Sequence, residues 1–187
     1  MKFIKNIITA ILILLNASIA AEQQQIMQQD KDSTLLAKEY SNIGSSFLKL
    51  KKYQEAIENF DIAIKYDPSY ASAYNSKGIA LDILGKTSEA IKYYDTAIKY
   101  KSNFVEAYNN KAVSYRKLGK NKEAIMLCDT AIKYKPNYAE AYNNKGASLN
   151  DLGKYEDAIE NFNIAIKYKP NNPEAYYNKG IALMNLW

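Results

Sequence analysis

An all-α fold, built as a solenoid of stacked antiparallel helix pairs, is predicted by three observations on this sequence. The first is a constant period. Pro170 and Pro136 stand 34 residues apart, the same step leads to Ser102 and Pro68, and Tyr176, Tyr142, Tyr108, Tyr74 and Tyr40 keep it too. The second is hydrophobic spacing: each period holds two stretches in which apolar residues return at three- and four-residue steps, the signature of two amphipathic helices. The third is punctuation, a Gly between the two stretches and a Pro after the second in most periods. One unit copied in tandem is too small to bury a core alone, so each copy must pack on its neighbours.

The chain opens on a segment of different composition. Lys2 and Lys5 precede an apolar run from Ile7 to Leu15, and the small-residue stretch Ser18-Ile19-Ala20 follows. This is the pattern of a secretory signal peptide, with cleavage expected after Ala20. The run is about nine residues long, against the roughly 20 that a membrane-spanning helix needs. Stable membrane insertion is therefore not expected, and the protein is expected to be exported, periplasmic or secreted. Removing Lys2 and Lys5 lowers Lys plus Arg from 25 to 23 against 20 Asp plus Glu, so the net charge falls from +5 to about +3.

Residues 21–36 form a polar, Gln-rich leader that carries few large apolar side chains and is expected to remain a flexible tether. Asp32 or Ser33 is then placed to cap the first repeat helix, whose apolar positions are Leu36, Tyr40, Ile43 and Phe47. The repeat region runs from 37 to 187, with units at 37–70, 71–104, 105–138 and 139–172 and a half-unit at 173–187; it is expected to hold about nine helices. Gly85, Gly119 and Gly153 end the first helices, because Gly turns past a helix end into the left-handed region without steric cost. The first unit has Lys51 there, a less comfortable turn. Thr87 or Ser88 offers a cap to the next helix, and Pro68, Pro136 and Pro170 are expected to stop the second helices. Tyr74, Leu81 and Leu84 are expected to share a packed face with Ala90, Tyr94 and Ala97, and Tyr176, Leu183 and Leu186 to continue those rows in the half-unit.

The spacing within a unit, Tyr142-x2-Lys145-Gly146-x2-Leu149, then Ala158-x3-Phe162, then Pro170, resembles the tetratricopeptide repeat. The resemblance covers Ala37 to Trp187 and implies a right-handed superhelix whose inner surface is lined mainly by the first helices. Lys77, Lys111, Lys145 and Lys179 depart from the Leu usual in the family and are expected to lay their stems along the packed surface with the amine in water. Ala112 departs from the Gly, Cys128 from the large residue of the second helix and Ser102 from the Pro.

Several chemistries are excluded by composition. The chain has no His and one Cys, and its seven Gly are spread singly through the repeats. Metal centres of Cys and His, His-based triads, intramolecular disulfides and a Gly-rich phosphate loop are thus ruled out. No cofactor is expected, and the protein is read as no enzyme. Lysines near the ends of the second helices, such as Lys65, Lys99, Lys133 and Lys167, compensate helix dipoles and are dispersed by the repeat, so nucleic-acid binding is not expected either.

Binding is then sought on the inner surface. One row there holds Asn42, Ser76, Asn110, Asn144 and Asn178, and the adjoining row Ser41, Asn75, Asn109, Asn143 and Tyr177. Asn is a mediocre helix former, but its amide both donates and accepts, which suits it to hold the backbone of an extended peptide. The first row resembles the asparagine ladder in the repeat domain of O-linked N-acetylglucosamine transferase; a coding bias toward Asn and Lys accounts for it equally well. Ser45, Ile79, Val113, Ala147 and Ile181 form a mostly apolar row, and Glu106, Glu140 and Glu174 an acidic one that also fits dipole compensation. Co-chaperone repeat domains that clamp acidic tails place Lys and Arg in these rows, and this chain does not. The expected ligand is a neutral to basic protein segment, its backbone on the Asn rows and an apolar side chain near Tyr177, Ile181 and Met184. A subunit that recruits substrates to a separate enzyme, a secreted effector acting on host proteins, and self-association through the half-unit remain as alternatives.

Overall fold

The computed structural model describes the backbone of residues 2–187 and the side chains from Leu15 onward except Ala17. Most of the expected signal peptide, residues 1–14 and 17, therefore lies outside the described side chains. Nine helices make up the described chain: α1 (Lys2–Lys49), α2 (Tyr53–Tyr66), α3 (Ala71–Ile83), α4 (Thr87–Tyr100), α5 (Val105–Lys117), α6 (Asn121–Tyr134), α7 (Ala139–Asp151), α8 (Tyr155–Tyr168) and α9 (Pro173–Leu186). The Gln-rich leader is helical, contrary to the flexible tether expected, because it is the middle of α1. Its side chains are mostly exposed, so burial does not order it. Ala, Glu, Gln and Met are good helix formers, and extending a helix already nucleated by packing at Ala37 costs far less than starting one.

The same continuity overturns the expected first cap. Ser33 lies inside α1, and its hydroxyl donates to the carbonyl of Tyr66, an orphan acceptor at the end of α2. Thr87 opens α4 without capping it; the cap position is Lys86, which makes no side-chain bond. The glycine turns are as expected, with φ of +79° at Gly85 and +73° at Gly119 and Gly153, and Lys51 is forced to +60° in the first unit. The prolines matter less than expected. α4 ends at Tyr100 although Ser102 stands where the other units have Pro, because Lys101 turns extended (φ −136°) while its N–H still bonds Ala97.

Alanines bring the helices of each pair together: Ala56, Ala63, Ala90, Ala97, Ala124, Ala131, Ala158 and Ala165 are all fully buried. Leu81 and Tyr94 pack with Ala90 as expected, but Leu84 is exposed. It sits at the C-cap, where the chain has already turned away from the core. Successive first helices touch one another, α1 with α3, α3 with α5, α5 with α7 and α7 with α9, while second helices of neighbouring units do not. The array must therefore curve with its first helices on the inside.

Three of the four lysines at the family's Leu position, Lys77, Lys111 and Lys145, do not end in water. The ammonium groups of Lys77, Lys111 and Lys145 reach back to Asp61, Asp95 and Asp129 on the second helix of the preceding unit, 2.7 Å away in the last pair. Burial alone would lower the Lys77 pKa, but hydrogen bonds to Asp61 and Tyr93 outweigh it and the group is held above its usual value.

Candidate functional site

The inner wall of the solenoid is where the first helices converge, and its floor is organised by two ladders of side chains. In the first, the Nδ2 of Asn110 donates to Oδ1 of Asn75 at 3.0 Å, Asn144 to Asn109 at 2.8 Å and Asn178 to Asn143 at 3.1 Å. In the second, about two helical turns further along the same helices, Lys117 pairs with Asp82 at 2.7 Å, Arg116 with Asp151 at 3.2 Å, and Asn185 donates to Asn150 at 3.3 Å. Both ladders join residues 35 apart, one more than the period, so each rung steps diagonally from a first helix to the next.

The row Asn75, Asn109 and Asn143 is buried, not exposed as the helical wheel suggested. Neighbouring first helices close over it, which an isolated helix cannot reveal. Asn110, Asn144 and Asn178 are half-buried. The rungs give the two rows opposite offers: the buried row has spent an Oδ1 and keeps its amide hydrogens, while the half-buried row has spent one hydrogen and keeps its Oδ1 as acceptor.

Two hollows open on this floor and share Arg116. One of about 270 Å³ is lined by Asn109, Val113, Asn143, Asn144, Glu140 and Glu174 among others, and one of about 130 Å³ by Asn150, Asp151, Asn178 and Ile181 with Phe162 beneath. Of the apolar trio expected near the C-terminal end, Ile181 reaches this floor, whereas Tyr177 and Met184 stand exposed on α9 outside both hollows. A larger hollow of about 600 Å³ runs beside Ser88, Tyr93 and Thr96 of α4. Its counterpart of about 260 Å³ lies beside Leu127 and Thr130 of α6, so it is a furrow of the repeat and not a distinctive site.

The electrostatics of the floor are nearly self-compensated. Arg116 and Lys117 have their acids, and Glu140 is held by Lys169 at 2.7 Å. Burial would raise the Glu140 pKa, but the Lys169 hydrogen bond overrides it and the carboxyl titrates below its usual range. Glu106 and Glu174 make no ion pair among the described residues. Four buried side-chain atoms have no hydrogen-bond partner among the described residues: Oδ1 of Asp82, Oγ of Ser114, Nε of Arg116 and Oδ1 of Asn121. Sequence reasoning missed Asp82, Arg116, Lys117 and Asp151. Their signal was a break in the repeat, since the 34-residue step from Leu48 runs through Asp82, Arg116 and Asn150 to Met184, and that from Lys49 through Ile83, Lys117 and Asp151 to Asn185. No group of three or more His, Cys, Asp or Glu among the described residues is arranged to hold a metal, and no helix among them is long and apolar enough to cross a membrane.

Comparison with known proteins agrees with this architecture. Tetratricopeptide-repeat models match residues 42–104, 105–138 and 127–160, and a TPR-repeat model matches 146–186. The chain is 35% identical over 60 residues to the tetratricopeptide repeat domain-containing protein PYG7, chloroplastic, of Arabidopsis thaliana, a match that covers 32% of this chain and 20% of the relative. It therefore spans a fifth of that protein's length. Among solved structures, PilF of Pseudomonas aeruginosa superposes with a TM-score of 0.77 at 18% identity, over 83% of this chain and 71% of that one. The first TPR of Spaghetti (RPAP3), bound to the HSP90 peptide SRMEEVD, gives 0.59 at 28% identity over 62% and 92%. Joined to the 34-residue period and the antiparallel helix pairs, matches that run from residue 42 to residue 186 place the chain among the tetratricopeptide-repeat proteins.

Proposed function

We propose that the protein is an exported, non-catalytic scaffold that holds an extended segment of another protein in its inner groove, in the periplasm or outside the cell. The observation that carries this reading is the asparagine ladder: a strip of amide donors beside a strip of amide acceptors is the complement of an extended backbone, whose own N–H and C=O groups alternate along its length. Backbone recognition of this kind tolerates many sequences. A repeat domain 28% identical to this one is seen with a peptide bound, which supports the general mode.

The ligand differs from that acidic peptide in charge. Among the described residues Arg116, Lys117 and Lys169 each pair with a carboxylate, and Glu106 and Glu174 make no ion pair. A neutral to basic segment is favoured, with an apolar side chain laid near Ile181, Tyr177 and Met184. Export rests on the charge, apolar run and small-residue end of Met1 to Ala20.

The test is a pull-down from envelope and culture-medium fractions with the chain beginning at Ala21, beside a copy carrying Tyr177→Ser, Ile181→Ser and Met184→Ser. A partner retained by the first and lost by the second, at equal helicity, supports the groove. A partner retained by both moves the site elsewhere. N-terminal sequencing of protein recovered outside the cytoplasm checks the export step, and a first residue other than Ala21 corrects the expected cleavage.

A further inference from the structure

We propose that the segment held in the groove is a left-handed polyproline II helix of three-residue period, with two prolines and one basic residue to each turn. The proposal rests on the inner groove being the binding face and names the class of segment that fits it. Three asparagine rungs stand there, Asn110 on Asn75, Asn144 on Asn109 and Asn178 on Asn143, one at each contact between successive first helices from α3 to α9. Packed helices lie about 8–10 Å apart, so a segment running across them meets a rung at that interval. A β-strand returns its side chains to one face every two residues, about 6.7 Å; three residues cover about 10 Å but turn the opposite face to the next rung. Polyproline II rises about 3.1 Å per residue and completes a turn in three, about 9.3 Å. Of the two extended conformations, it alone presents the same face to every rung.

The rungs leave unspent what such a helix can use. Asn75, Asn109 and Asn143 are 7%, 7% and 3% exposed; each accepts within its rung, while its own amide hydrogens bond to no group among the described residues. A donor in so buried a side chain is costly to leave unpaired. Polyproline II supplies the acceptors, because its backbone makes no internal hydrogen bonds and its carbonyls stay free. The half-buried row keeps one Oδ1 at each rung and so asks for one N–H per turn. Two residues in three can then be proline, which has no N–H to offer, without a lost bond.

The flanks of the ladder recur at the same interval. On α5 the inner face reads Glu106, Asn109 and Val113, and on α7 Glu140, Asn143 and Ala147: a carboxylate, an amide and an apolar group at i, i+3 and i+7. Asn109, Val113, Glu140 and Asn143 line one hollow of about 270 Å³. Glu106 makes no ion pair among the described residues, although Lys135 stands where Lys169 serves Glu140 one unit later; the Lys135 ammonium lies over the Tyr138 ring instead, 5.0 Å from its centre. Each turn of the bound helix can therefore set a basic side chain toward a carboxylate on one flank, a carbonyl on the amide, and a proline ring on the apolar group of the other flank.

The experiment titrates the full chain with a synthetic peptide of four Lys-Pro-Pro triplets and reads binding by calorimetry. Saturable binding is expected. It should weaken at least about tenfold, roughly 1.4 kcal/mol, for a peptide of the same composition with its lysines set in adjacent pairs, and for the same triplets built of D-residues, whose helix has the opposite hand. It should weaken equally for protein carrying Asn109→Asp with Asn143→Asp. That variant keeps the Oδ1 each rung uses and removes the free amide hydrogens; its added negative charge would tighten a merely electrostatic hold on lysine, so weaker binding isolates the lost donors. Its helicity and melting temperature are measured alongside, and the two peptide controls, read on the parent protein, stand whether or not it folds. Equal binding of the D-peptide or of the paired-lysine peptide would overturn the proposal, as would tighter binding by the double variant. An alternating Lys-Val peptide that binds as well, and is weakened by the same variant, would overturn the polyproline II assignment while keeping the groove as the site. No saturable response to the triplet peptide up to about 1 mM would also overturn it, and the pull-down then judges the groove independently.

Discussion

At Gly146 a single hydrogen separates a packed unit from a strained one. Its Cβ direction ends 2.7 Å from Phe162, and a buried ring between two helices has little room to give. Gly146→Ala should lower stability by about 1–3 kcal/mol, read as a fall in melting temperature. The third unit shows how the pair has been exchanged as a whole. It has Ala112 in place of the glycine and Cys128 in place of the aromatic, and the two share one buried cluster. Neither departure is intelligible alone. Cys128→Phe should destabilise the parent chain but be tolerated beside Ala112→Gly; a double-mutant cycle measures the coupling, expected at about 1–3 kcal/mol. Cys128 itself is chemically quiet. Burial, helped by the Asp129 carboxylate and opposed by Lys145 and Arg116, pushes its thiol from 9.0 up to about 12. The unfolded chain releases that proton near pH 9 and the folded chain keeps it to about pH 12, so the unfolded state holds fewer protons in this window and stability falls as pH rises through it. Tyr138, pushed to about 12 chiefly by burial, acts in the same direction. Chemical denaturation between pH 9 and 11 should show the decline, with a shallower slope for Cys128→Ala.

At the scale of the helix, ends are set by backbone turns more than by capping side chains. α3 closes with the N–H of Lys86 on the carbonyl of Leu81 and that of Gly85 on Asp82, the paired bonds of a Schellman turn. The same bonds form at Lys51 and Lys52, but with a side chain in the left-handed region. Lys51→Gly should therefore stabilise the chain by about 1 kcal/mol, visible as a rise in melting temperature, whereas Gly119→Lys should do the reverse. Side-chain caps were the least legible elements: of the second helices α2, α4, α6 and α8 none has one, and Asn172, which accepts from the Glu174 N–H, caps only α9. Tight helical hairpins leave the first N–H groups close to the preceding turn, so the sequence offers cap residues that the geometry does not use. The alanine rows were legible because their 34-residue spacing and small size admit one role. Ala158→Leu should cost about 1 to 3 kcal/mol by forcing α7 and α8 apart, and an unchanged melting curve would refute the packing.

Over the whole molecule the two ladders determine how one unit sits on the next. Each asparagine rung lies where adjacent first helices meet, and removing the buried Asn109 leaves the half-buried Asn144 amide short of a bond and a gap where a buried side chain stood. Asn109→Ala should cost about 1–3 kcal/mol, while Asn42→Ala, at an exposed position with no rung, should cost little. A thermal melt of each separates a structural ladder from a merely exposed row. The same ladder orients the amides that the groove offers to a ligand, so structure and proposed recognition draw on the same side chains.

The repeat period, the helix pairs, the glycine turns and the inner rows of asparagine could be read from the chain alone, because each depends on residues near in sequence or on a step that recurs. Translation by 34 residues carries that information without any knowledge of curvature. What only the tertiary structure decided was relative placement between units: that the asparagines bond diagonally, 35 residues apart, that Lys77 finds Asp61, and that Arg116 stands between two hollows. The physical reason is that a solenoid turns as it stacks. Positions equivalent by sequence come to face neighbours one residue out of step, and which of them end buried, paired or open is settled by that rotation.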